Sequence, residues 1–175
     1  IRENEARFRS LFEDSPISLW EEDFSEVKVF IDELLNSGIA DLREYFGKNP
    51  GDLDKCASLI KVLNVNQTTL DLYQSESKEQ LLGNVDKIFT QESNDAFIDE
   101  LVALSGGSTW YEGEIVNRKL DGTLFDSILG ISIAPGSDQT WSNVFVSIID
   151  ITQRKELERR LEIANERMSE ELNFA

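Results

Sequence analysis

The chain has 175 residues, a formal net charge of -17 and no histidine. That length suits one domain with an extension, and 40% apolar residues is ordinary for a globular protein with a sizeable core. The missing histidine removes Ser-His-Asp and Cys-His catalysis, histidine-ligated zinc or haem, and a phospho-accepting histidine within this stretch, while 34 acidic against 17 basic residues argue against nucleic acid or an anionic membrane as partner.

Residues 2–13 read as a helix with Phe8, Leu11 and Phe12 on one face, stopped by Ser15-Pro16. Residues 17–24 read as a short strand. Ser25 is the expected N-cap of an amphipathic helix through Val27, Phe30, Ile31, Leu34 and Leu35, which ends at Asn36-Ser37-Gly38. Two shorter helices follow, one with Leu42, Tyr45 and Phe46, the other from Asn49-Pro50 to Ala57. Residues 59–66 are rich in β-branched side chains and predict a strand, followed by a helical stretch over 67–73 that Asn66 caps. Ser77-x-x-Gln80 is a capping-box signature for a helix ended by Gly83, and residues 91–104 predict a longer helix closed by Gly106-Gly107.

The last third changes character. Residues 110–120 and 123–134 predict two strands joined at Asp121-Gly122, a pair suited to a type I′ turn with positive φ at both positions. Phe125, Ser127, Leu129, Ile131 and Ile133 share one side of the second strand. Residues 141–151 form a final strand, apolar on both sides near its end and so central in a sheet. Everything after Thr152 reads as helix. Strands grouped late, with helices between, predict an α+β fold.

Three stretches, in order, resemble a PAS domain: Val65-Asn66-Gln67-Thr68-Thr69-Leu70-Asp71-Leu72-Tyr73 with Glu79-Gln80-Leu81-Leu82-Gly83; Glu114-Ile115-Val116-Asn117-Arg118-Lys119-Leu120-Asp121-Gly122-Thr123; and Asp150-Ile151-Thr152-Gln153-Arg154-Lys155. The resemblance covers residues 5–160. It implies a five-stranded antiparallel sheet with flanking helices that form a pocket. It also implies a sensory module, usually dimeric, placed before an output domain in a bacterial, cytoplasmic signal-transduction protein. The division expected is an N-terminal helix over 1–15, a PAS core over 16–151 and a signalling coiled-coil helix over 152–175. The chain departs from the pattern by a helical insertion at 25–58, between strands that PAS domains join tightly; a packed surface decoration is the favoured reading over a lid.

No enzymatic constellation is present. Glu21-Glu22-Asp23 reads as a solvated strand end rather than a cation site. Trp20, Trp110, Trp141 and Tyr73 are core or pocket aromatics. Asn117, mid-strand between apolar residues, would need a partner if it faced inward, and a ligand could be that partner. On strand parity the candidate ligand-binding set is Asn66, Tyr73, Trp110, Asn117, Phe125 and Phe145. No cofactor is identifiable. Haem has no histidine ligand, and a covalent flavin adduct is disfavoured because Cys56, the one cysteine, precedes the second strand. The expected occupant is an unidentified small molecule; the alternative is a ligand-free dimerisation and relay module.

In the tail, Leu157, Leu161, Ala164 and Met168 are spaced as a coiled-coil seam, with a stutter-like shift to Leu172. A parallel homodimer is favoured over a helix folded back on the core. Asp150 and Thr152, short and polar between strand and helix, are placed to set the exit angle and act as the signal linker. Residues 164–173 resemble linkers that precede bacterial serine phosphatase domains; similar linkers precede histidine kinases and diguanylate cyclases. Met168 is the one methionine, so Ile1 is not a start and the sequence reads as a segment of a longer chain with a downstream output domain. No apolar run approaches the roughly 18 residues of a membrane span, so no membrane contact is expected of this segment.

Overall fold

The computed structural model describes residues 1–175. In chain order the elements are α1 (Arg2–Glu13), β1 (Ser18–Asp23), α2 (Ser25–Asn36), α3 (Leu42–Lys48), α4 (Pro50–Leu59), β2 (Lys61–Val65), α5 (Gln67–Tyr73), α6 (Lys78–Leu82) and α7 (Val85–Ile88). A short 3-10 turn at Gln91–Ser93 leads into α8 (Asn94–Ser105), followed by β3 (Trp110–Arg118), β4 (Leu124–Ile133), β5 (Val144–Asp150) and α9 (Thr152–Phe174). The five strands form one antiparallel sheet in the order β2-β1-β5-β4-β3. This is an α+β architecture with the last strand in the middle, where a strand apolar on both sides belongs.

Side chains alternate across a strand, so the register decides what faces the helices. Glu22, Val144 and Ile133 lie on one rung; Trp20, Val146, Ile131 and Tyr111 lie on the next. Asn117 pairs with Phe125 at the far end of the β3–β4 ladder. These positions form the inner face. The alternate residues form the outer face, where α1 lies: Phe8 meets Phe145 with ring centroids 5.7 Å apart.

Three local expectations are corrected. Only Gly122 has positive φ in the β3–β4 hairpin, so the turn is not type I′. Lys119 N–H donates to Thr123 O (2.8 Å) and Gly122 N–H to Lys119 O (3.0 Å), a three-residue loop in which one glycine takes the left-handed position. Ser25 is the first residue of α2 rather than its cap; Phe24 occupies the cap position, and Asp23 Oδ1 accepts from Ser25 N–H at 2.8 Å. The stretch between β1 and β2 is not confined to the surface. Phe24, Val27, Ile31, Leu42, Phe46 and Cys56 belong to the same buried cluster as the sheet, α3 packs on α8, and Phe24 N–H bonds Trp141 O at 2.8 Å. These helices pack on one another and on α8 and share the sheet's core.

The chain crossing from α1 through β1 to α5 is held by Asn66. Its Oδ1 accepts from Leu19 N–H (3.1 Å), Thr69 N–H (3.1 Å) and the Thr69 hydroxyl (2.7 Å). Its Nδ2 donates to Phe12 O (2.9 Å) and Ile17 O (2.8 Å). The side chain is fully buried, and four of its five bonds satisfy backbone groups. Asn66→Ala removes all of these at once and leaves buried backbone groups unpaired, so it is expected to lower unfolding stability by about 3 kcal/mol. A urea midpoint equal to that of the unsubstituted chain would show that the staple is dispensable.

Candidate functional site

The inner face carries polar groups that an apolar core does not need. Asn117 is fully buried on β3. Its Nδ2 donates to Ser127 Oγ at 3.1 Å, but its Oδ1 has no partner. Next to it, Tyr73 on α5 stands edge-on to Phe125 and to Trp20, with ring centroids 5.6 Å apart in both pairs. Trp20 is buried and its Nε1–H is unpartnered. The aromatic row thus runs from the Asn117 end toward β1.

At the β1 end sit two carboxyl groups. Glu22 is 6% exposed and Glu100, on α8, 4%. Glu100 Oε1 has no partner, and no cation pairs with either side chain. Burial pushes the Glu22 carboxyl up to about 8. Burial, with the charge of Glu22 as a second cause, holds Glu100 well above the usual carboxylate range. Taking an unpaired carboxylate out of water is so costly that the proton is retained instead. The Tyr73 phenol is also pushed up, first by burial and then by Glu22. Tyr111, at the edge of this region, is raised by partial burial and then by Asp99 and Glu100, while Arg43 opposes the shift. Arg43 itself pairs with Asp99 at the surface. The Tyr111 ring lies over Gly113, where a side chain would collide with it.

The structure sorts the residues named from sequence into three groups. Tyr73, Asn117 and Phe125 come together on the inner face. Asn66 is buried, but its hydrogen-bonding capacity is spent on the fold, so it is withdrawn as a ligand contact. Trp110 (68% exposed) lies at the rim, and Phe145 faces α1 on the opposite side, because β5 pairs Phe145 with Glu21 and puts Val144 and Val146 inward. Trp141 is buried in the β4–β5 connection, beneath the Lys28 ammonium. Glu22 is not part of a solvated strand end. Its signal in the sequence was the alternation Ser18, Trp20, Glu22. For Glu100 it was the spacing Ala96, Glu100, Leu104 along α8, and a charged residue on a buried stripe hides behind its own polarity. No cluster of three or more His, Cys, Asp or Glu side chains is arranged to hold a metal ion. Cys56 sits on α4, where burial first and Asp52 second push its thiol up to about 12, so it is inert at neutral pH.

The exit from the sheet is tightly bonded. Asp150 Oδ1 accepts from Thr152 N–H (2.9 Å), Thr152 Oγ1 accepts from Asp126 N–H (3.2 Å), and Ile151 N–H donates to Asp126 O (2.9 Å). Lys155 Nζ reaches Glu114 Oε2 at 2.7 Å, joining the first turn of α9 to β3 and holding the Glu114 carboxyl below its usual range. Beyond this turn α9 leaves the body with none of its side chains buried, and Leu157, Leu161 and Met168 are exposed.

No protein-family model matches the chain, and no curated protein does. Solved structures do. The LOV protein of Rhodobacter sphaeroides is 16% identical, with 86% of this chain and 68% of that one covered at a TM-score of 0.57. A PAS domain of a Colwellia psychrerythraea protein is 14% identical over 86% of this chain and 98% of its own, at 0.55. An RNA-binding light-oxygen-voltage receptor is 13% identical over 95% of this chain and 38% of the receptor, at 0.57. The chain therefore has the PAS fold, with its five-stranded antiparallel sheet and flanking helices.

The buried carboxyls make stability depend on pH. In the unfolded chain Glu22 ionises near 4.5 and in the fold only near 8, so it costs nothing below the first value and progressively more as the pH rises toward the second. Glu22→Gln is expected to raise the melting temperature near pH 8 by roughly 4–8 °C, about 2 kcal/mol, and to change it little near pH 4.5. An equal effect at both pH values would show that the carboxyl does not titrate between them.

Proposed function

We propose that this chain is a sensory module that binds a small molecule on the inner face of its sheet and passes the change to α9. The observation that carries the reading is that three of the four unpartnered buried polar side-chain atoms, Asn117 Oδ1, Glu100 Oε1 and Trp20 Nε1, belong to the inner face and the helix over it, while the fourth, Asn143 Oδ1, lies in the β4–β5 connection. Buried polar groups are almost always satisfied, and groups left open along an interior face suit a ligand that completes them. The bonded junction at Asp126, Asp150 and Thr152 supports the relay, because a shift of β4 or β5 would be felt at the first turn of α9. The exposed seam of Leu157, Leu161, Ala164 and Met168 supports pairing with a second copy. Catalysis belongs, in this reading, to an output domain beyond α9, of the serine phosphatase, histidine kinase or diguanylate cyclase type, in a bacterial cytoplasmic protein; a buried, unpaired cysteine suits such a reducing setting.

One structural neighbour comes from work on a flavin analogue and the mechanism of a light-oxygen-voltage domain. The interior here does not favour a phosphate-bearing flavin nucleotide. Its open groups are mostly acceptors, two carboxyls flank the aromatic row, and that row is packed edge-on rather than parted to admit a flat ring system. A second reading, ligand-free relay between copies of the chain, is favoured by the same self-packed aromatics. The two readings separate on native mass spectrometry and thermal shift. A bound non-protein mass, or a rise in melting temperature with one compound class, is expected; neither appearing across a broad metabolite set would leave the relay alone.

The linker prediction is separate. In the full-length protein, Asp150→Ala is expected to leave the melting temperature shift by ligand intact while output activity no longer responds. A response equal to that of the unsubstituted protein would remove Asp150 from the relay.

A further inference from the structure

The ligand-binding reading can be taken one step further, to the chemistry of the ligand. We infer that the Glu22–Glu100 end of the inner face is a site for an organic ammonium ion, whose N–H groups bond the two carboxylates and whose carbon chain lies against Trp20 and Tyr73. Glu22 and Trp20 are two residues apart on the same face of β1, so the carboxyl and the indole project into one region. Tyr73 stands edge-on to Trp20 with ring centroids 5.6 Å apart, and Glu100 is buried on α8, which packs on β3 of the same sheet, with Oε1 unpartnered; the charge of Glu22 bears on both Glu100 and Tyr73. The indole and phenol faces are what a desolvated ammonium prefers next to carboxylates.

Nothing in the protein already fills this role. Arg43 is the cation felt at neighbouring Tyr111, and it is paired with Asp99 at the surface. Two buried carboxyls with no counter-ion are a burden to the empty fold. An ammonium ion removes that burden, because in its presence both groups can ionise and be hydrogen-bonded at once. An apolar ligand would leave them as costly as before, and an anionic ligand would make them costlier. A bare metal ion is a poorer match, since the site offers two side chains and the fold groups no third ligand with them.

The titratable groups of the site are Glu22 on β1, Glu100 on α8 and Tyr73 on α5, with Tyr111 of β3 at its edge and the Arg43–Asp99 pair at the surface beyond it. The two phenols are raised and stay protonated through neutral pH, and Asp99 stays paired with Arg43. Binding an ammonium therefore requires loss of the proton that Glu22 retains up to about pH 8. Affinity should tighten as the pH rises toward that value, and protons should be released on binding.

The test uses the folded chain with butylammonium and butanediammonium as probes and butanol as the uncharged control. Calorimetry in two buffers of different ionisation enthalpy is expected to show binding of the ammonium probes with proton release, and no binding of butanol. Glu22→Gln and Glu100→Gln, each checked for native circular dichroism, are expected to weaken binding by about ten- to a hundredfold and to reduce the protons released. Binding that is unchanged in both variants, or matched by butanol, would overturn the proposal. So would a neutral or anionic molecule co-purifying in the interior, which would leave the broader ligand-binding reading standing. If neither probe binds and no molecule is found, both readings fail together.

Discussion

Asn66 is where three parts of the chain meet, and the interior depends on that meeting. One amide side chain ties the end of α1, both ends of the turn into β1, and the first turn of α5. A charged or hydroxyl side chain could not do the same, because the site needs an acceptor on one side and two donors on the other. The consequence is geometric. β1 is held with Ser18, Trp20 and Glu22 inward, and α5 is held with Tyr73 against Trp20. The residue expected as a ligand contact instead determines how the inner face is assembled.

With β1 so placed, the long stretch between β1 and β2 becomes intelligible. It packs on α8, and its apolar residues join the common core. A carboxyl at a strand end would ordinarily be solvated. Buried in the assembled core, Glu22 is removed from water, and its carboxyl is pushed up to about 8. The same burial that stabilises the fold through its apolar residues creates the polar region that destabilises it, and that conflict between local cost and global fold is characteristic of functional sites.

Much of the architecture was legible in the residues. The extent of α1 and α5, the inward side of β4 from Phe125 to Ile133, the central place of β5 and the helix after Thr152 all follow from periodicity and capping, which are local properties. The candidate site was legible only in part. Asn117, Tyr73 and Phe125 stood out as polar or aromatic residues in apolar settings. Trp110 and Phe145 were assigned inward and are not. Trp110 is one residue out of phase with Tyr111, and Phe145 with Val144 and Val146, a difference that inverts the face completely.

The amino-acid sequence by itself determined the α+β class, the element order, the absence of histidine chemistry and the exposed seam of α9, because composition and local spacing carry all of these. Only the tertiary structure decided that Asn66 belongs to the frame, that α2–α4 enter the core, and that Glu22 and Glu100 are buried with no counter-ion. Those facts depend on which distant residues become neighbours. A glutamate reads as solvent-facing until packing from another part of the chain takes the water away, and that desolvation is a property of the assembled core rather than of any stretch within it.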